Sequence, residues 1–257
     1  MATKADGLTF WDHLEALRMS LLRMLAVIAV VAVVAFAFKE MLFDIVLAPR
    51  DGSFVTYRMM GAGDFRLHLM NTGLTEQFMI HVRTAAYAGL LVASPYVLYE
   101  LFRFVSPALY ADERHGAMWI VGVAYIMFIV GTLINYFLVF PLTVRFLGTY
   151  QVSADVDNML TLQSYVDTLL SMSLVMGIVF ELPVVCWTMD RLGLLDRETM
   201  KQFRRHAVVA VMVVAAVITP TTDAFTLLVV AVPIYLLYEL SVLTVRPASK
   251  KRIEVGN

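Results

Sequence analysis

The sequence predicts an all-α membrane protein, with six helices crossing a bilayer in a concave bundle and the fifth and sixth spans short. Three observations predict it. Of the 257 residues, 60% are hydrophobic and only 16% charged, against about 45–50% and about 25% in a soluble domain, and the mean hydropathy is +0.75. The chain is divided into uncharged runs at 24–38, 84–99, 116–144, 168–189 (broken once by Glu181), 207–222 and 224–245 (broken once by Glu239). Continuous apolar runs such as 27–38 do not alternate, so they fit helices and not the strands of a barrel.

A helix needs about 20 residues to cross the hydrocarbon core. With flanking residues such as Arg23, Lys39 and Arg83 snorkelling to the interface, the runs give spans at about 21–43, 77–99, 116–142, 166–189, 205–219 and 224–243, within one integral membrane domain over residues 1–257. Six spans put both termini on one side. Of the twenty Lys and Arg residues, fourteen fall on that side, and only Lys39, Arg50, Arg58, Arg66, Arg83 and Arg145 fall on the other. The excess of positive charge places both termini in the cytoplasm. Asp6, Asp12 and Glu15 precede the first apolar run, where a secretory signal would carry basic residues, so that run is read as a retained span.

The fifth span holds twelve apolar residues from Ala207 to Ile218, about 18 Å of helix. Thr219-Pro220-Thr221-Thr222-Asp223 then turns the chain straight into span six. Two readings stand: a hairpin packed among longer helices, or a deliberate local thinning of the bilayer. Pro95, Pro141, Pro183 and Pro233 lie within or at the ends of spans. Each removes a backbone donor and bends a helix, which favours a concave bundle. Residues 43–77 form an external loop expected to carry a short helix or hairpin, and residues 139–163 a second external segment.

Little of the chain suggests catalysis, and the protein is not expected to be an enzyme. No Gly-rich loop leads into Lys-Ser/Thr and no HExxH occurs, so no phosphate cradle or zinc helix is present. The one cysteine, Cys186, excludes an internal disulfide. No cofactor and no metal are expected. The net charge of −1 gives no reason to expect nucleic acid as a partner.

Carboxylates remain. Glu181 lies deep in span four, two residues before Pro183, where a charge costs about 2.5–3.5 kcal/mol on insertion scales. It is read either as a hydrogen-bonding anchor to Asn135, Tyr136, Thr132 or Ser173, or as an intramembrane polar site facing a cavity. The second is favoured because Pro183 opens the backbone there. Near the N-terminus, Thr9-Phe10-Trp11-Asp12 starts a helix, as a capping box does, and Glu15 pairs with Arg18 one turn on. Asp112-Glu113-Arg114 follows Pro107-Ala108-Leu109-Tyr110. On pattern alone these acids complement the dipole of the next helix.

In these blocks the sequence resembles the TatC family, the polytopic receptor subunits of the twin-arginine protein translocase. The resemblance runs in order through Phe10-Trp11-Asp12-His13-Leu14-Glu15-Ala16-Leu17-Arg18, Phe104-Val105-Ser106-Pro107-Ala108-Leu109-Tyr110-Ala111-Asp112-Glu113, Asn135-Tyr136-Phe137 with Pro141, Phe180-Glu181-Leu182-Pro183, Thr219-Pro220 with Asp223, and Pro233 with Leu237-Tyr238-Glu239. It implies a glove-like bundle in the bacterial inner membrane that binds twin-arginine signal peptides and exports folded proteins on the proton gradient. Glu15, Arg18, Phe104, Pro107 and Glu113 are the signal-peptide residues it implies. A guanidinium offers a planar fork of donors that suits a carboxylate. Met212, Thr219, Pro220, Asp223 and Leu228 mark the short hairpin where single-span TatA- and TatB-type partners are expected to dock, and self-association in the complex is expected as well. The chain departs from the family pattern at Ala16, where the family carries an acid; replacement by Glu15 is favoured, with Asp12 one turn earlier, or reliance on Glu113 alone, as the alternatives. The reading from a different class is a proton-coupled small-solute transporter with Glu181 as the coupling site.

Overall fold

A computed structural model of the chain describes residues 10–61, 66–105, 114–150, 160–219 and 223–247. The described residues are mostly helical. Helix α1 (Phe10–Ala37) ends at a turn at Phe38, and α2 (Lys39–Leu47) follows. A short helix α3 (Val55–Met59) lies within the 43–77 segment, ahead of strand β1 (Leu69–Met70). Helix α4 (Glu76–Val105) returns along α1. Helix α5 (Arg114–Ile134) passes through a π-helical turn at Asn135–Val139 into α6 (Phe140–Thr149). Strand β2 (Leu160–Thr161) leads into α7 (Leu162–Val179), followed by α8 (Leu182–Arg191), α9 (Arg197–Gln202), α10 (Arg204–Ile218) and α11 (Ala224–Thr244).

Among the described residues, five stretches are long and apolar enough to cross a membrane: Leu14–Ala37, Glu76–Phe104, Met118–Thr149, Leu162–Arg191 and Ala224–Thr244. Helix α10 has 15 residues, about 22 Å of rise, and falls short of that length, whereas α11, expected to be short as well, runs 21 residues and reaches it, because its apolar run continues past Pro233 to Thr244.

The prolines show how this sequence carries proline within its helices without stranding backbone groups. Proline has no N–H, so the carbonyl four residues earlier loses its helical donor. Opposite Pro95 that carbonyl is Leu91 O, and the Ser94 hydroxyl donates to it at 2.7 Å. Opposite Pro141 it is Phe137 O, and the hydroxyl of Thr56 on α3 donates to it. The neighbouring Tyr57, fully buried, points its hydroxyl at Pro141 O (3.0 Å) and Pro49 O (2.9 Å). The loop helix α3 thus plugs the bend between α5 and α6. Hydroxyls replacing lost donors are the usual solution where water is absent. Pro183 sits in the first turn of α8, after the break at Phe180-Glu181 and where its missing N–H costs least.

Two glycines allow close crossings. A Cβ on Gly89 would stand 2.8 Å from the backbone nitrogen of Ala32, so α4 meets α1 backbone to side. A Cβ on Gly131 would stand 2.6 Å from Met176 O, where α5 meets α7. The main core lies between α5–α6, α7 and α11, around Val139, Phe140, Val166, Met172, Met176, Val230 and Ile234. At the far end of the bundle β1 and β2 pair in parallel, Leu69 with Leu160 and Met70 with Thr161, which ties the 43–77 segment to the start of α7. At the near end α1 begins and α4 finishes.

Candidate functional site: the near end of the bundle

Glu15 and Arg18 lie on the first turns of α1, largely exposed, 3.7 Å apart as an i,i+3 pair. Phe104 lies on the last turn of α4, partly buried. Pro107 and Glu113 lie outside the described residues. Ser20, one turn after Ala16, bonds Glu100, one turn before Phe104. The stretch of α1 around residues 16–20 therefore borders the stretch of α4 around residues 100–104.

Glu100 is the acid that the sequence reading missed. Its side chain is 3% exposed. Ser20 donates to its Oε2 at 3.0 Å and Tyr96 to its Oε1 at 3.3 Å. Arg23 Nη1 and Arg103 Nη1 approach the same Oε1 at 3.9 and 3.5 Å. One α1 arginine and one α4 arginine thus converge on a single buried carboxylate. The only sequence signal was the Glu-x-x-Arg spacing of Glu100 and Arg103.

Glu181 occupies the break between α7 and α8 and is partly buried, with Oε1 enclosed and unpartnered. The structure does not bring it together with the anchors considered for it. Asn135 donates to Ser173 Oγ at 2.8 Å, and Tyr136 donates to Ile45 O at 2.7 Å. Among the described residues, Glu181 Oε1 is enclosed beside a helix break without a hydrogen-bond partner.

In the α10–α11 hairpin, Met212 and Leu228 are exposed and Thr219 is buried. Asp223 caps α11, accepting from Thr226 N at 2.7 Å. Pro220 lies outside the described residues. Helix α10 rests chiefly on α11 and turns Val209, Val213 and Val217 outward. The hairpin is fastened at its base, where Arg204 Nη2 donates to Glu239 Oε2 at 2.7 Å and Tyr235 donates to Oε1 at 3.0 Å.

The far end has the opposite character. Glu76 accepts from the backbone N–H groups of Thr72 (3.0 Å), Gly73 (2.7 Å) and Gln163 (3.1 Å). Arg83 donates to both oxygens of Asp167, at 2.8 and 2.6 Å. Glu76, Arg83 and Gln163 line a cavity there, but the Glu76 carboxylate is already committed to backbone donors. In the loop beside it, the Ser53 N–H holds the Asp51 carboxyl below its ordinary range, and Arg66 adds to the effect. Among the described residues no three His, Cys, Asp or Glu side chains converge as metal ligands do.

A family model for the Sec-independent protein translocase protein TatC matches residues 12–233. TatC of Desulforapulum autotrophicum is 34% identical over 252 residues, 98% of this chain and 89% of that protein. TatC of Deinococcus radiodurans is 35% identical over 237 residues, 92% and 85% of the two. A crystal structure of the twin-arginine translocase receptor TatC superposes with a TM-score of 0.75 at 29% identity, covering 90% of this chain and 97% of that one. With a helical frame of several membrane-length spans and a family match over most of its length, the chain belongs to the TatC family and is a multi-pass membrane component of a Sec-independent protein translocase.

Proposed function

We propose that the chain is the receptor subunit that recognises twin-arginine signal peptides and starts the export of folded proteins across a bacterial inner membrane, with the proton gradient as driver. The observation that carries this reading is the likeness, over 90% of the chain, to a structure named a twin-arginine translocase receptor. The short α10 completes a sixth span, the bundle is concave, and both termini face the cytoplasm. Two features support that orientation. The near end holds the excess of Lys and Arg, as cytoplasmic loops do. All three tryptophans, Trp11, Trp119 and Trp187, also sit there, with the Arg191 guanidinium 4.9 Å from the Trp187 ring, as in an interfacial belt.

The peptide's two guanidiniums meet carboxylates at the near end. Glu113 receives one and Glu15 the other, with Arg18 orienting Glu15, and Phe104 and Pro107 pack the peptide backbone. The Glu15 carboxylate is largely exposed, and the gain comes from paired forks of charge-assisted bonds. Glu181 serves as the polar site on the concave face. Met212, Thr219, Pro220, Asp223 and Leu228 form the shallow hairpin on which single-span TatA- and TatB-type subunits dock, and copies of the chain associate in the complex.

The test is photo-crosslinking of a twin-arginine precursor to this chain in native membranes, beside a twin-lysine control. The proposal expects adducts with the first and few with the second. Equal adducts, or solute uptake by proteoliposomes holding this chain alone, would remove the receptor reading.

A further inference from the structure

The Glu100 cluster carries more positive charge than its carboxylate neutralises. Arg23 and Arg103 converge on one Oε1 at ion-pair distances of 3.9 and 3.5 Å, and among the described residues neither guanidinium makes a hydrogen bond. The two acceptor oxygens are instead engaged by the neutral hydroxyls of Ser20 and Tyr96. Each arginine keeps its fork of N–H donors, and the two side chains remain 49% and 59% exposed. The buried acid therefore gathers two guanidiniums from different helices and leaves them with a net charge of +1. A twin-arginine peptide is repelled by such a spot. An anion is attracted to it.

The surroundings identify the anion's other half. Leu22 and Leu25 of α1 and Tyr99 and Leu101 of α4 are all exposed on either side of the cluster. Only 6% of the residues in the most apolar window of α1 are buried, so the apolar surface next to Arg23 lies uncovered along the helix. A ligand with a phosphate head and acyl chains fits this combination. A soluble phosphate leaves the leucines unused.

We propose that Arg23 and Arg103, aligned by Glu100, form a headgroup site for an anionic phospholipid between α1 and α4 at the near end of the bundle. Basic pockets between membrane helices hold lipid phosphates in this way. Because its charge disfavours the twin-arginine peptide, the site is separate from Glu15 and Glu113. It depends on the membrane-spanning fold and not on signal-peptide recognition, so either can fail alone.

Native mass spectrometry of the full chain in detergent, titrated with phosphatidylglycerol or phosphatidylcholine, tests it. At about 1 kcal/mol for each arginine at a membrane surface, Arg23→Gln with Arg103→Gln should weaken phosphatidylglycerol binding about thirtyfold. Phosphatidylcholine should bind no better than phosphatidylglycerol does to that variant. A charge-matched control, Lys39→Gln with Arg58→Gln at the other end, should leave binding unchanged. Glu100→Gln is the sharper variant, because it raises the local positive charge. Diffuse attraction predicts tighter lipid binding there, whereas an aligned site predicts weaker binding. Unchanged binding in the arginine double variant, tighter binding in Glu100→Gln, or full displacement of the lipid by millimolar inorganic phosphate overturns the proposal. The single variants Arg23→Lys and Arg103→Lys keep the charge and the buried anchor, so the test survives if the double variant does not fold. Each should bind more weakly than the parent chain, and parental affinity in both contradicts the site.

Discussion

Helix α4 carries a buried glutamate near each end, and the two are held in opposite ways. Glu76 accepts from three backbone N–H groups belonging to two separate segments. Those donors cannot move without unfolding the turn at residues 72–73 or the start of α7. Glu100 is held by side chains alone, two hydroxyls and two half-exposed guanidiniums. Exposed partners such as the two guanidiniums change rotamer within nanoseconds, whereas a backbone cap opens only with its segment. The far end is therefore built as a clasp and the near end as a set of adjustable charges. The proposed receptor role would use both: a frame that stays assembled, and an end where side-chain charges are presented to a ligand.

The largest expected effect comes from removing a near-end acid. Glu113→Gln keeps the shape and deletes the charge, so the affinity for a twin-arginine peptide should fall tenfold to a hundredfold, about 1.5–3 kcal/mol for a charge-assisted bond, with folding intact. Peptide titration of purified receptor reads this out. In the same assay Glu15→Gln should lose about tenfold, Asp12→Asn little, and Ala16→Glu should bind as well or better. Normal binding by Glu15→Gln together with much tighter binding by Ala16→Glu would show that Glu15 does not stand in for the acid missing at residue 16.

The hairpin gives a separable effect. Met212→Glu or Leu228→Glu places a charge on an exposed apolar face, so co-purification of single-span partners should drop severalfold while peptide affinity holds. Loss of both would make the hairpin a structural support only. At the clasp, Glu76→Gln puts an amide N–H₂ among donors that need an acceptor, and the chain should melt several degrees lower with peptide affinity unchanged at temperatures where it is folded. The smallest effect concerns Asp51, whose carboxyl sits below its ordinary value of 3.8 through the Ser53 N–H and nearby Arg66. A lowered folded-state value stabilises above the ordinary one and is lost as pH falls through the lowered one. Amide exchange at residues 51–54, corrected for its intrinsic rate, should therefore quicken below about pH 4. In Asp51→Asn that extra pH dependence should disappear.

The helices were legible because charge-free runs report the bilayer directly. Residues 224–245 became α11, starting after the Asp223 cap and ending at Thr244. The brevity of α10 was equally legible, since Thr219 and Pro220 follow only twelve apolar residues. The turn at Phe38 that ends α1 was not, because span one was read through Lys39 and Glu40 to residue 43, whereas the backbone turn starts α2 at Lys39. Nor was the pairing of β1 with β2, since two-residue strands 91 positions apart in register leave no periodicity to read. Pro141 announced a bend but not its remedy. The hydroxyl of Thr56 lies 81 positions away from the carbonyl it repairs. Glu100 escaped notice for the same reason. Next to Arg103 it looks like an ordinary interfacial charge, and what makes it special, Ser20 and Arg23, comes from a helix 80 residues earlier. Patterns within an element survive in the sequence, while meetings between elements appear only in the fold.

The division between clasp and adjustable end is tested most directly by one set of dissociation constants: a twin-arginine peptide titrated into the parent chain, Glu113→Gln and Glu76→Gln under conditions where all three are folded. The near-end variant should bind tenfold to a hundredfold more weakly, and the far-end variant should match the parent. Equal losses in the two variants, or undiminished binding in Glu113→Gln, would contradict the account.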